Sequence, residues 1–110
     1  MVCMNTICET PLFSKYATIY WTEEEYEDFK TYLAVNPEAG DVEPKSGGIR
    51  KIRWVSGGKG KRGGVRVIYF NRLANGEIWL LTLYSKKEVT QLSKKTLNLL
   101  VEKLNASFND

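Results

Sequence analysis

The sequence predicts an α+β fold: an antiparallel-dominated sheet with two N-terminal helices and a C-terminal helix packed on it. Three observations lead there. Pro11–Tyr20 and Thr22–Val35 carry apolar residues at helical spacing behind N-capping threonines. Ile49–Val55, Val65–Arg72 and Glu77–Ser85 are rich in β-branched and aromatic residues and are separated by glycine-bearing connections. Lys94–Ser107 then returns to helical spacing, with Leu97, Leu100, Leu104 and Phe108 on one stripe. Helices set apart from a run of tightly connected strands define the α+β class, and tight turns make the strands antiparallel.

The elements follow in order. Val2–Glu9 is expected to form a first strand. Thr10-Pro11 reads as an N-cap followed by proline at the first helical position, with Leu12, Tyr16, Ile19 and Tyr20 as the apolar stripe. Thr22 with Glu25 makes a capping box, and Glu23, Glu24 and Glu25 sit in a first turn where the helix dipole favours negative charge. Tyr26, Phe29 and Leu33 give this second helix its stripe, and Asn36-Pro37 stops it near Val35. Asn36–Gly48 reads as a surface connection. Ala74-Asn75-Gly76 is a hairpin turn signal. Glu77–Ser85 is almost continuously apolar, as expected of a strand covered on both faces near the centre of the sheet. At 110 residues and 43% apolar content, the chain is expected to be a single domain, residues 1–110, whose core needs no staples.

Charge is distributed unevenly. The net charge is only +3. Yet Thr22–Glu43 holds eight acidic residues against Lys30 alone, while Lys45–Arg72 holds nine basic residues and no acid. The acidic run reads either as a solvated helix start or as a surface that turns nucleic acid toward the basic side. Within the basic run, the loop Ser56–Gly64 interleaves Lys59, Lys61 and Arg62 with five glycines. Backbone that can approach closely, edged with cations, suits a partner with regularly spaced negative charge, such as a nucleic-acid backbone. Strand alternation places Ile49, Lys51, Arg53 and Val55 on one face and Arg50, Ile52 and Trp54 on the other. Arg66 shares a face with Ile68 and Phe70 on the next strand. Tyr84 closes the last strand, and Lys86, Lys87 and Glu88 follow it.

Several chemistries are excluded. With no histidine there is no histidine-based triad and no histidine metal site. Two cysteines do not make a zinc site. On one strand, Cys3 and Cys8 would stand about 16 Å apart on opposite faces, too far to bridge. No Ser or Thr follows a Gly-Lys pair to make a P-loop. No stretch has the length or pattern of a membrane span or signal peptide, so the chain is expected to be cytoplasmic. Phosphate chemistry without metal or cofactor remains open. RNA brings its own nucleophile, the ribose 2′-hydroxyl, and the protein need only position the strand, move protons and stabilise the crowded phosphate.

The motifs GGIRKIRW (Gly47–Trp54), GKGKRGGVRVIYF (Gly58–Phe70) and IWLLTLYSKKE (Ile78–Glu88), in that order, resemble the RelE/ParE toxin superfamily, and within it the HigB-like branch of bacterial type II toxin–antitoxin modules. The resemblance runs from about Ile7 to the last helix. It implies a RelE-like fold and a ribosome-dependent, metal-independent endoribonuclease (an mRNA interferase) that cuts mRNA by 2′-hydroxyl attack. It also implies a cognate helix-turn-helix antitoxin, with ribosome and mRNA as the other partners and no membrane. By position, Lys51 and Arg53 match the family's basic pair before the loop, Arg66 its arginine in a G-x-R pattern, and Lys87 a position often held by arginine. Lys51, Arg53, Arg66, Tyr84, Lys87 and Glu88 are the expected catalytic set. Arg50, Lys59, Lys61, Arg62 and Lys86 are the expected RNA-binding set. The chain departs from members with catalytic histidines. Where others place a C-terminal tyrosine it has Leu92 and Ser93, the nearest tyrosine being Tyr84. A non-enzymatic RNA-binding module and a ParE-like gyrase inhibitor are the rival readings.

Overall fold

The computed structural model describes residues 6–44, 47–55 and 64–85, together with the helical residues Leu99, Glu102, Lys103 and Ala106. The chain enters as strand β1 (Thr6–Glu9) and passes into helix α1 (Pro11–Tyr20) and helix α2 (Glu23–Val35). Both helices begin as their sequences dictate. The Thr10 hydroxyl accepts from the Phe13 N–H at 3.1 Å and donates to the Leu81 carbonyl at 2.8 Å, so one side chain caps α1 and ties it to the sheet. Thr22 and Glu25 form the reciprocal capping box, each side chain accepting from the other's backbone N–H.

The buried stripe of α1 differs from the expected one. Phe13 and Ala17 face the core, whereas Leu12 and Ile19 are exposed and Tyr16 and Tyr20 pack only against its margin. The helix has apolar residues on two sides, and the Thr10–Leu81 tether selects the Phe13 side by fixing the rotation of the first turn. In α2 the expected residues hold, with Phe29 and Leu33 fully buried and Tyr26 at the margin.

The sheet has five strands in the order β1-β5-β4-β3-β2. Strand β2 (Asp41–Val42) lies within the stretch expected to be an irregular connection, and at two residues it is too short to leave a pattern. Strand β3 (Ile49–Trp54) stops one residue short of the expected limit, while β4 (Val65–Arg72) and β5 (Glu77–Ser85) match it. The turn between β4 and β5 is a short 3-10 segment, Leu73–Asn75, closed by Gly76 in the left-handed region at φ 68°. All pairs are antiparallel except β1 with β5. Strand β5 is interior, as expected, though β4 holds the middle position. Leu99, Glu102, Lys103 and Ala106 are helical and exposed, within the expected C-terminal helix; the rest of that stretch lies outside the described residues.

Alternation sorts the sheet into two faces. Val65, Val67, Tyr69, Ile78, Leu80 and Leu83 point to α1 and α2 and form the main core with Phe13, Ala17, Trp21, Phe29 and Leu33. Ile49, Ile68, Leu81 and Tyr84 form a second buried cluster on the other face, flanked by Phe70 and Trp79. Cys8 is a free thiol, and Cys3 lies outside the described residues.

The segment leaving α2 is tied to the sheet by polar contacts. Tyr69, fully buried, accepts from the Gly40 N–H at 2.8 Å and donates to the Pro37 carbonyl at 2.9 Å. Asn71 donates to the same carbonyl at 2.7 Å. A Cβ on Gly40 would stand 2.8 Å from the Tyr69 hydroxyl, so only glycine fits. Tyr69→Phe leaves the Gly40 N–H unpaired and should lower stability by about 1–3 kcal/mol, measured by urea unfolding; an unchanged midpoint and slope would refute the link.

Burial, with the neighbouring Glu9 carboxylate, drives the Tyr26 phenol far above its usual range. Burial also pushes Tyr69 up, against the opposing pull of the Gly40 N–H and Arg50. The folded state keeps these protons where the unfolded chain gives them up, near pH 10. The stabilisation is therefore intact below about pH 10 and drains away as pH rises past it. Unfolding free energy followed through alkaline pH should decline above that point, and Glu9→Gln should soften the decline.

Candidate nucleic-acid interface

The face away from the helices carries Lys51, Arg53 and Arg66, and strand register decides how they are arrayed. Arg53 on β3 stands directly opposite Arg66 on β4, and Arg66 stands directly opposite Tyr84 on β5. Directly opposed residues share a face, and neighbouring strands lie about 4.8 Å apart. Arg53, Arg66 and Tyr84 thus make one row across three strands. Lys51, two residues before Arg53 on the same face, starts the next row with Ile68 and Thr82. Arg53 is exposed and Arg66 half-buried, whereas Tyr84 keeps only 8% exposure and packs with Ile49, Ile68 and Leu81.

A bulge makes this row. Phe70 and Arg66 are four residues apart on β4, yet their partners Trp79 and Tyr84 are five apart on β5, with the shift falling between Ile68 and Tyr69. Leu81 is the extra residue. It returns Tyr84 to the face of Trp79, which simple alternation would not do.

Two arginines at directly opposed positions of a strand pair concentrate positive charge on this face. The flat fork of an arginine matches phosphate oxygens. Lys51 is differently placed. Its ammonium pairs with Glu43 at 3.0 Å, and Asp41 stands opposite it across β2 and β3. These acids close the acidic segment and reach the basic row because β2 folds back along β3. Sequence reasoning missed Glu43. The available signal was its place just ahead of Pro44 and the basic strand, at hairpin distance from Lys51.

Arg50 is not brought to the row. It faces the helix layer, where its guanidinium donates to the Gly40 carbonyl at 2.7 Å and the Glu38 carbonyl at 3.2 Å. Its visible work is to hold the Pro37–Gly40 segment. Lys59, Lys61, Arg62, Lys86, Lys87 and Glu88 lie outside the described residues. No group of three or more metal-ligating side chains occurs among the described residues, and no described helix is long and apolar enough to cross a membrane.

An α+β domain fold with two helices on one face of a five-stranded, mostly antiparallel sheet is RelE-like. The chain is similar in structure to the E. coli toxin RelE, solved in the free state as a double arginine-to-alanine variant. The TM-score is 0.60 at 12% sequence identity, over 88% of this chain and 96% of that one. No family model matches the chain.

The geometry separates two kinds of arginine. Arg53→Ala should weaken binding of a single-stranded RNA and reduce the salt slope of log K by about 0.7 for each phosphate the side chain neutralises, with the unfolding midpoint unchanged. Arg50→Ala should lower the midpoint and leave the salt slope intact. The reverse pattern in filter binding and urea unfolding would overturn the assignment.

Proposed function

We propose that this chain is the toxin of a type II toxin–antitoxin module, of the RelE/ParE superfamily and its HigB-like branch. It acts in the cytoplasm as a ribosome-dependent endoribonuclease that cleaves mRNA and stops translation. The observation that carries the reading is the Arg53–Arg66 pair, two arginines at directly opposed positions of a RelE-like sheet.

In this reading Arg53 and Arg66 grip the non-bridging oxygens of the scissile phosphate, with Lys51 beside them. The 2′-oxygen attacks phosphorus and loses its proton. The bond to the 5′-oxygen breaks, and that oxygen gains a proton. The products are a 2′,3′-cyclic phosphate and a 5′-hydroxyl. The two arginines stabilise the charge that grows on the phosphate in the transition state. Tyr84 closes the row and, with Lys87 and Glu88 following β5, is placed in the proton-transfer and positioning roles. Lys59, Lys61, Arg62 and Lys86 hold RNA backbone around the site. A helix-turn-helix antitoxin is the cognate partner, with mRNA and the ribosome as targets.

Controlled expression beside an Arg66→Ala version, with mRNA 5′ ends mapped by primer extension, tests the reading. Growth arrest with new ends inside translated codons is expected, and both should disappear with Arg66→Ala. Arrest with intact mRNA would favour RNA binding without cleavage, or action on gyrase. Ends that persist in Arg66→Ala would remove Arg66 from the site.

A further inference from the structure

The helix layer holds a groove on the side of the sheet away from the arginine row. It has a volume of about 160 Å³ and lies between α1 and the start of α2. Ala17, Trp21 and Tyr26 form its apolar wall, and Glu9 and Glu23 stand at its edge. The Trp21 and Tyr26 rings stack with centroids 5.6 Å apart and an interplanar angle of 26°.

The Glu9 carboxylate is fixed at this groove. Ser14 donates to one of its oxygens at 2.5 Å, and the Tyr26 hydroxyl donates to the other. Burial and the carboxylate hold the Tyr26 proton in place, so Glu9 remains the acceptor in that contact. Among the described residues no lysine or arginine pairs with Glu9 or Glu23. Tyr26 meanwhile receives a cation from within the chain, Lys30 Nζ lying 4.3 Å from its ring centroid. The Tyr26 ring is therefore already engaged by Trp21 and Lys30, while the acids at the groove's edge have no described counter-ion.

An aliphatic stem ending in a positive charge satisfies both parts of the groove. Its methylenes cover the Ala17–Trp21 wall, and its head meets the carboxylates at the edge. Glu24 and Asp28 extend the negative field along α2, while Glu27 is paired with Lys30 at 2.9 Å. That field repels nucleic acid and draws in a positively charged protein segment. We propose that the α1–α2 groove is a docking site for a lysine or arginine side chain of a partner protein, with the acidic surface of α2 receiving the rest of a basic segment. The inference does not depend on RNA cleavage, which concerns the opposite face.

The test uses the isotope-labelled full chain, titrated with N-acetyl-arginine amide and N-acetyl-lysine amide as side-chain probes. N-acetyl-glutamine amide is the neutral control and putrescine the free-amine arm. Saturable shifts of the Trp21 indole N–H and the Tyr26 ring are expected with the basic probes and not with glutamine amide. Glu23→Gln, an exposed change in the first turn, should weaken the basic probes about threefold, and adding Glu9→Gln about tenfold. No shift at Trp21 and Tyr26, equal shifts with glutamine amide, or indifference to Glu23→Gln would overturn the proposal. Putrescine binding far more tightly than both blocked amino acids would also overturn it, since the groove would then serve a free polyamine.

Discussion

The hydroxyl of Tyr69 is the joint on which both faces of the molecule depend. A fully buried phenol must have partners, and the segment leaving α2 supplies them as one carbonyl and one N–H. Arg50 draws in the next carbonyls of the same segment. The exit of α2 is thereby pinned to the middle strand of the sheet. From that point the chain reaches the edge as β2, where Asp41 and Glu43 come alongside Lys51. A bond in the helix-facing core therefore helps to set the electrostatics of the exposed face.

The mild net charge conceals a molecule with two sides. The acids of α2 lie with the helices, and Arg53 and Arg66 lie across the sheet from them. Where the segments meet, at β2 and β3, a carboxylate and an ammonium pair at the surface, an arrangement of small energetic weight. Its effect is on placement: Lys51 is drawn toward the β2 edge of the sheet.

What was legible in the sequence was what local chemistry decides. Thr10 and Thr22 announced the helix starts because a cap is satisfied within its own first turn. The limits of β4 and β5 followed from β-branched runs between turn residues. The side of α1 that is buried was not legible, because a hydroxyl reaching a carbonyl 71 residues away selects it. The alternation of β3 separated Lys51 and Arg53 from Arg50 correctly. It could not say that Arg53 would face Arg66, because cross-strand register is set by the paired strands and not by either alone. Glu43 escaped for the same reason, sitting beside a strand of two residues. Similarity at 12% identity adds the fold and leaves the chemistry of the row to be established by experiment.

The extra residue in β5 has a bearing on how this chain is compared with other chains of the same fold. Side chains beyond a bulge owe their side of the sheet to it. Were the same residues drawn into regular alternation, Leu83 would turn toward the arginines and Tyr84 into the helix-facing core. A relative with no residue at the place of Leu81 would instead keep both surfaces as they are, one letter shorter. Identical letters can thus fill opposite surfaces, and strands of unequal length can fill the same one. Counterparts in divergent relatives are therefore better matched by the surface they occupy than by counting along an ungapped strand.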